Sequence, residues 1–162
     1  MSSIKAVLQI LSILVFALSA SVASAQQRPS YGPSLSVDDA KKVAAGAVAE
    51  AKKNGWNVAI AIVDTGGLLV YYERLDDTQS ASPLIAIEKA RTSAMFRRPT
   101  RVFTDVIAKG GGGVAIMGLP GVTPNTGGLP IWRGGKIIGA IGVSGVTGDQ
   151  DEEVAKAGAA AL

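Results

Sequence analysis

Two pairs of adjacent glycines, Gly66-Gly67 and Gly134-Gly135, each separate two β-rich runs, and they constrain the chain more than any other feature. Asn57 to Asp64 (NVAIAIVD) precedes the first pair and Leu68 to Leu75 (LLVYYERL) follows it. Leu129 to Trp132 and Lys136 to Val143 flank the second pair in the same way. Glycine reaches the left-handed backbone that tight hairpin turns need, so both units read as antiparallel hairpins. A doubly wound parallel sheet needs a helix between successive strands, and that alternation is absent. NVAIAIVD is apolar on both of its faces, the pattern of a central strand covered on two sides.

Helices account for the rest. Ser36 has the place of an N-cap with Asp39 three positions on, a capping-box spacing. Val37, Ala40, Val43, Ala44, Ala47, Val48 and Ala51 then recur on one helical face, and Lys52, Lys53, Asn54 and Gly55 close it. Ser82-Pro83 reads as an N-cap followed by proline at the first helical position, opening a helix to about Phe96. Its expected buried stripe is Leu84, Ile87, Ala90, Ala94 and Met95. Thr100 caps a shorter helix through Ala108, Val114 to Met117 reads as a short strand, and Asp149 to Leu162 as a terminal helix. The expected fold is α/β of the α+β type: a three-layer α/β/α sandwich with a mainly antiparallel, about five-stranded sheet.

The chain begins with the marks of export. Lys5 precedes an apolar run from Ile10 to Leu18, and Ala23-Ser24-Ala25 offers the small residues of a cleavage site. Residues 1–25 are read as a signal peptide, 26–35 as a flexible lead-in and 36–162 as a single domain. That implies a periplasmic or secreted protein with no stable membrane insertion after cleavage. The formal net charge is only +3, which gives no warrant for a nucleic-acid partner.

Composition narrows the chemistry. Cysteine and histidine are both absent, which excludes disulfides, thiol nucleophiles, zinc thiolate sites and any Ser-His-Asp triad. No imidazole is available to ligate haem iron. Function must rest on hydroxyls, amides, carboxylates, lysine and arginine, and no catalytic residue stands out.

Several clusters invite a chemical reading. Gly110 to Gly113 lacks the Gly-Lys-Ser/Thr that would make it a phosphate loop. Gly139, Gly142, Gly145 and Gly148 recur every third residue, which is not the dinucleotide-binding spacing. Two explanations of that repeat stand level: close packing of strands, or backbone N–H groups presented to an anion. Six cations lie between Lys89 and Lys109, but Lys89 and Arg91 point about 200° apart on a helix and cannot serve one site together. A solvated face competes there with one or two cations guiding a ligand carboxylate. Asp149, Asp151, Glu152 and Glu153 fit a helix N-terminus better than a metal site. Asp64, Arg74 and Asp76 are expected to pair across the first hairpin.

VDTGG (Val63 to Gly67), ERLDD (Glu73 to Asp77), EKARTSAMFRRPT (Glu88 to Thr100), GGLPI (Gly127 to Ile131) and IIGAIGVSGVTGDQDEEVAKAG (Ile137 to Gly158) carry a resemblance. In order and spacing they resemble the GlcG/HbpS family, also called DUF336, over roughly Leu35 to Leu162. The resemblance implies an antiparallel sheet flanked by helices, self-association to a homo-oligomer and a small-molecule ligand. Some members are exported haem-binding or haem-degrading proteins that sense or buffer haem and iron. Others accompany glycolate utilisation or form the C-terminal part of corrinoid adenosyltransferases. The implied cofactor is haem, and the implied ligand-binding positions are Arg74, Lys89, Thr92, Gly127 and Gly128. Family members that coordinate iron through histidine have no counterpart here. Iron would fall to Tyr71, Tyr72, a threonine, Met95 or Met117. The rival reading is a protein acting on a small oxygenated metabolite through Asp64, Arg74 or Asp151.

Overall fold

The computed structural model describes residues 28–162, so the expected signal peptide lies outside the described residues. Helix α1 spans Val37–Asn54, strands β1 and β2 span Ala59–Val63 and Leu69–Arg74, and helices α2 and α3 span Ser82–Phe96 and Arg101–Ala108. A 3-10 helix over Gly111–Gly118 leads to β3 (Gly128–Arg133), β4 (Lys136–Ser144) and α4 (Gly148–Ala160). The sheet has four antiparallel strands in the order β2-β1-β4-β3, one fewer than expected. The missing strand is Val114 to Met117, which lies in the 3-10 helix.

Local signals fix most of these boundaries. Ser36 and Asp39 form the reciprocal capping box, and Gly55 ends α1 in the left-handed conformation at φ 68°. The second hairpin closes with Gly134 and Gly135 both at positive φ, as a two-residue turn demands. The first turn differs, because Asp64 organises it: its carboxylate accepts from the amides of Gly66 and Leu68, each at 2.9 Å. Asp64 is therefore part of the turn, and among the described residues Arg74 forms no ion pair with it or with Asp76.

The segment read as a flexible lead-in is bonded to the sheet from Ser30 onward. Tyr31 makes a parallel bridge to Ile137, and the amides of Gly32 and Leu35 donate to the carbonyls of Ile137 and Ile138, both at 2.8 Å. The Tyr31 hydroxyl continues across to the carbonyl of Ala94 at 2.8 Å, tying this segment to the end of α2.

The two faces of the sheet are packed differently. On one, Ile60, Ile62, Leu129, Ile131, Ile141 and Val143 meet the alanines and Val43 of α1 and Val154 and Ala155 of α4. On the other, Ala59, Ala61, Val63 and Ala140 meet Ala86, Ala90 and Ala94 of α2. Small residues on both sides let α2 approach closely. A β-carbon at Gly142 would collide with the carbonyl of Ala86 and the amide nitrogen of Ala90. For this glycine of the third-residue repeat, close packing is thus the reason.

Candidate functional site

The buried side of α2 is not the apolar stripe expected. Ser82, Ala86, Lys89, Ala90, Thr92, Ser93 and Ala94 face inward, whereas Leu84 and Met95 are exposed. Ser82 is not the N-cap either, because Ala81 holds that place and the Ser82 hydroxyl meets Ser144 beneath the helix. A sheet face of alanine and glycine leaves no room for leucine or methionine, so the large side chains turn outward.

Lys89 lies at the centre of the inner side, only 1% exposed. Its ammonium donates to Asp151 of α4 at 2.6 Å and to the Val143 carbonyl of β4 at 2.9 Å. Burial pulls the Lys89 pKa below its ordinary value and pushes that of Asp151 above, and the charge of each opposes the other's shift. The second Asp151 oxygen accepts from the Val146 amide at 3.2 Å. One ion pair thus joins α2, β4 and the start of α4.

The motif threonines continue this framework. The Thr92 hydroxyl donates to the Gly121 carbonyl at 3.1 Å and accepts from the Thr123 amide at 2.8 Å. Thr100 accepts from the Gly128 amide at 2.9 Å, and its own amide donates to the Gly128 carbonyl at 3.0 Å. A β-carbon at Gly127 would fall against Lys89 and Asp151, and one at Gly128 would collide with the carbonyl of Lys89. The structure therefore gathers Lys89, Thr92, Gly127 and Gly128, but as an inward-facing frame that holds the loop before β3.

Arg74 lies elsewhere. It is exposed at the end of β2 and lines a polar cleft of about 470 Å³ with Lys52, Trp56, Asn57, Glu73 and Asp77. Gly127 and Gly128 are not among the residues lining that cleft. The acidic start of α4 is engaged with cations: Asp149 and Glu152 bind Arg101, Glu152 also binds Lys156, and Asp151 binds Lys89. Thr147 and Gln150 cap this helix with a second capping box, a signal present in the sequence at the usual spacing but absent from the reading above.

The outward side of α2 offers a different kind of surface. Leu84, Glu88, Arg91 and Met95 recur at helical spacing, and Arg91 pairs with Glu88 at 3.0 Å. Met95 lies between two turns: a β-carbon at Gly67 would stand 3.4 Å from its Cγ, and one at Gly121 would stand 3.9 Å from its Cε. Leu68 and Leu69, beside Gly67, are 68% and 49% exposed, and Met95 is 46% exposed. Met95 and the neighbours of Gly67 make an apolar ledge, with the aliphatic stem of Arg91 beside it: a β-carbon at Gly67 would stand 3.6 Å from the Arg91 Cγ. Sequence periodicity missed it because exposed Leu84 and Met95 look like core residues when only hydrophobicity is counted.

The tyrosines suggested as iron ligands are less free. Tyr71 donates its hydroxyl to Glu73 at 3.3 Å, and the charge of Glu73 raises its pKa. Among the described residues the Tyr72 hydroxyl is buried without a hydrogen-bond partner, and burial raises its pKa. Met117 is exposed on the 3-10 helix. Among the described residues no group of three or more acidic side chains is placed to hold a metal ion, and no helix is long and apolar enough to cross a membrane.

An antiparallel sheet between helical layers, with a buried polar frame beneath α2, defines an α+β protein. The chain belongs to the HbpS-like family: residues 35–160 match the family described as "Haem degrading protein HbpS-like". Protein GlcG of Escherichia coli K12 is 44% identical over 110 residues, spanning 68% of this chain and 81% of GlcG. A crystal structure of an HbpS double mutant from Streptomyces reticuli superposes with a TM-score of 0.74 at 32% identity, covering 87% of this chain and 95% of that one. The crystal structure of a PduOC–haem complex superposes with a TM-score of 0.72 at 30% identity, covering 80% and 95%.

Proposed function

We propose that this protein is an exported, homo-oligomeric binder of haem. The observation that carries the reading is the apolar ledge of Leu68, Leu69 and Met95 with the stem of Arg91 beside it. A flat apolar ring system bearing carboxylates suits such a surface, because the ledge shields the ring from water and a guanidinium fork matches a carboxylate. The fit is partial in one respect. With no imidazole in the chain, the iron would be held by thioethers such as Met95, by oxygen atoms or by a lysine amine. Bound haem would supply a redox-active iron. The chain's own part is to hold the macrocycle and limit its contact with water. The PduOC–haem complex and the HbpS-like family match support this reading.

In this reading Lys89, Thr92, Gly127 and Gly128 position the ligand surface from beneath rather than touching the ligand. Arg74 serves the second reading, in which its cleft takes a small oxygenated carboxylate. That reading is favoured by an exposed guanidinium outside every ion pair among the described residues.

Hemin titration of the protein processed after Ala25 tests both. A saturable Soret change is expected, weakened about tenfold by Met95→Glu, which puts a charge on the ledge. A response no larger than that of an unrelated apolar protein sinks the haem reading. Protection of Arg74 from dicarbonyl modification by a 2-hydroxy acid, with no Soret change, would favour the second.

A further inference from the structure

The cleft at the end of β2 has two walls, each set by a hydrogen-bonded turn. One wall is the close of α1, where the Gly55 amide donates to the Lys52 carbonyl at 3.2 Å and the Trp56 amide to the Ala51 carbonyl at 2.9 Å. The other is the chain from Glu73 to Asp77. There the Leu75 amide donates to the Val58 carbonyl at 3.0 Å, and the buried Thr78 donates its hydroxyl to the Leu75 carbonyl at 2.7 Å. Asp77 turns this corner with a left-handed backbone at φ 58°, which aspartate tolerates better than most side chains. Trp56 on one wall and Leu75 on the other are packed against the core. Both walls are therefore in place before anything enters the cleft.

Both signs of charge line this space. Lys52 and Arg74 bring two positive charges to it, and Glu73, Asp76 and Asp77 bring three negative ones. None of the five takes part in an ion pair among the described residues, and Glu73 accepts the Tyr71 hydroxyl at 3.3 Å. Opposite charges that share a cleft without pairing leave both signs open to a guest. The lining sums to one negative charge, and that sum decides between guests. A plain carboxylate would gain Arg74 and Lys52 but would also meet three carboxylates. A guest with one carboxylate and two cationic groups complements both the signs and the sum. The Arg74 fork suits its carboxylate, and the carboxylates of the second wall suit its ammonium groups. At about 470 Å³ the cleft is of the size that takes small molecules.

We propose that the cleft between the close of α1 and the end of β2 binds a basic amino acid, a small molecule with one carboxylate and two cationic groups. The proposal rests on the second reading above in giving Arg74 the carboxylate, and departs from it in requiring positive charge beside that carboxylate.

Calorimetric titration of the protein processed after Ala25 tests this, with L-lysine, L-alanine and L-lactate at matched ionic strength as separate arms. Alanine and lactate share a skeleton and a carboxylate, and differ in an ammonium against a hydroxyl. Saturable binding is expected to fall in the order lysine, alanine, lactate, with lactate about tenfold or more weaker than lysine. The double variant Asp76→Asn, Asp77→Asn keeps the side-chain size, and asparagine accepts the left-handed backbone at position 77. It should fold as well as the parent yet bind lysine about tenfold more weakly, the loss expected for charge-assisted contacts. Lysine no tighter than alanine or lactate, or lysine binding unchanged in the double variant, overturns the proposal. Lactate binding would then keep the Arg74 reading, whereas silence from all three removes that reading as well. The measurement uses no hemin, so the haem reading stands or falls separately.

Discussion

The two faces of one sheet solve the packing problem in opposite ways. Toward α1 and α4 the strands present isoleucine, leucine and valine, and the helices answer with alanine and valine. Toward α2 both partners are small, and the gap is closed by approach rather than by bulk. The first face is held by apolar area removed from water. The second depends on shape and on buried polar fastenings, Lys89 with Asp151 and Val143 first and Ser82 with Ser144 beside it. The face that needs the closest fit also carries the proposed ligand ledge on its outer side. The small residues beneath α2 send the large ones outward, so the packing that builds the layer also creates the surface.

That contrast can be broken most forcefully at the fastening. Asp151→Ala should cost about 3–5 kcal/mol in urea unfolding, because it leaves the Lys89 ammonium buried without its counter-charge. Pairing it with Lys89→Met should recover much of the loss, and no recovery would show that the ion pair is not what holds α2. Gly142→Ala comes next, at about 1–3 kcal/mol, since the added methyl meets the α2 backbone and not a side chain that can move. On the opposite face Ile62→Val should cost only about 1 kcal/mol, the usual loss of one buried methylene. If the glycine change proves milder than the isoleucine change, the two faces are not packed on different principles.

The smallest effect concerns the cap of α1. Hydrogen bonds from Arg133 and then from Ser36 hold the Asp39 carboxyl at about 2, below its ordinary 3.8. A depressed carboxyl stabilises the fold above its ordinary value, and that contribution is lost as pH falls toward the folded value. Acid unfolding between about pH 4 and pH 2 should therefore be less steep in Asp39→Asn, with the two proteins responding alike near neutrality to changes of pH.

The first face was largely readable from sequence and the second was not. Ser36 and Asp39, the α1 alanines, Gly55 and both glycine-paired turns report local backbone needs, and local needs survive into the fold. In α2 the same logic failed at Leu84, Met95 and Ser82. Helical spacing identifies which residues share a side, but not whether the opposing surface has room for them. That depends on Gly128 and Gly142, which lie 33 to 60 residues further along the chain. The run from Val114 to Met117 failed for another reason: it is apolar enough for a strand but pairs with nothing and coils into a 3-10 helix. Of the five implied ligand positions, four are gathered beneath α2 and Arg74 lies at the end of β2, a separation that spacing along the chain does not reveal.

The burial of Lys89 also gives the molecule a built-in clock. Among the described residues the other lysines, at 41, 42, 52, 53, 109, 136 and 156, are all exposed. An amine-reactive label should consume those first, while Lys89 waits for α2 to lift from the sheet. Its rate of labelling would report how often that layer opens, and whether a guest resting on the outer side keeps it shut.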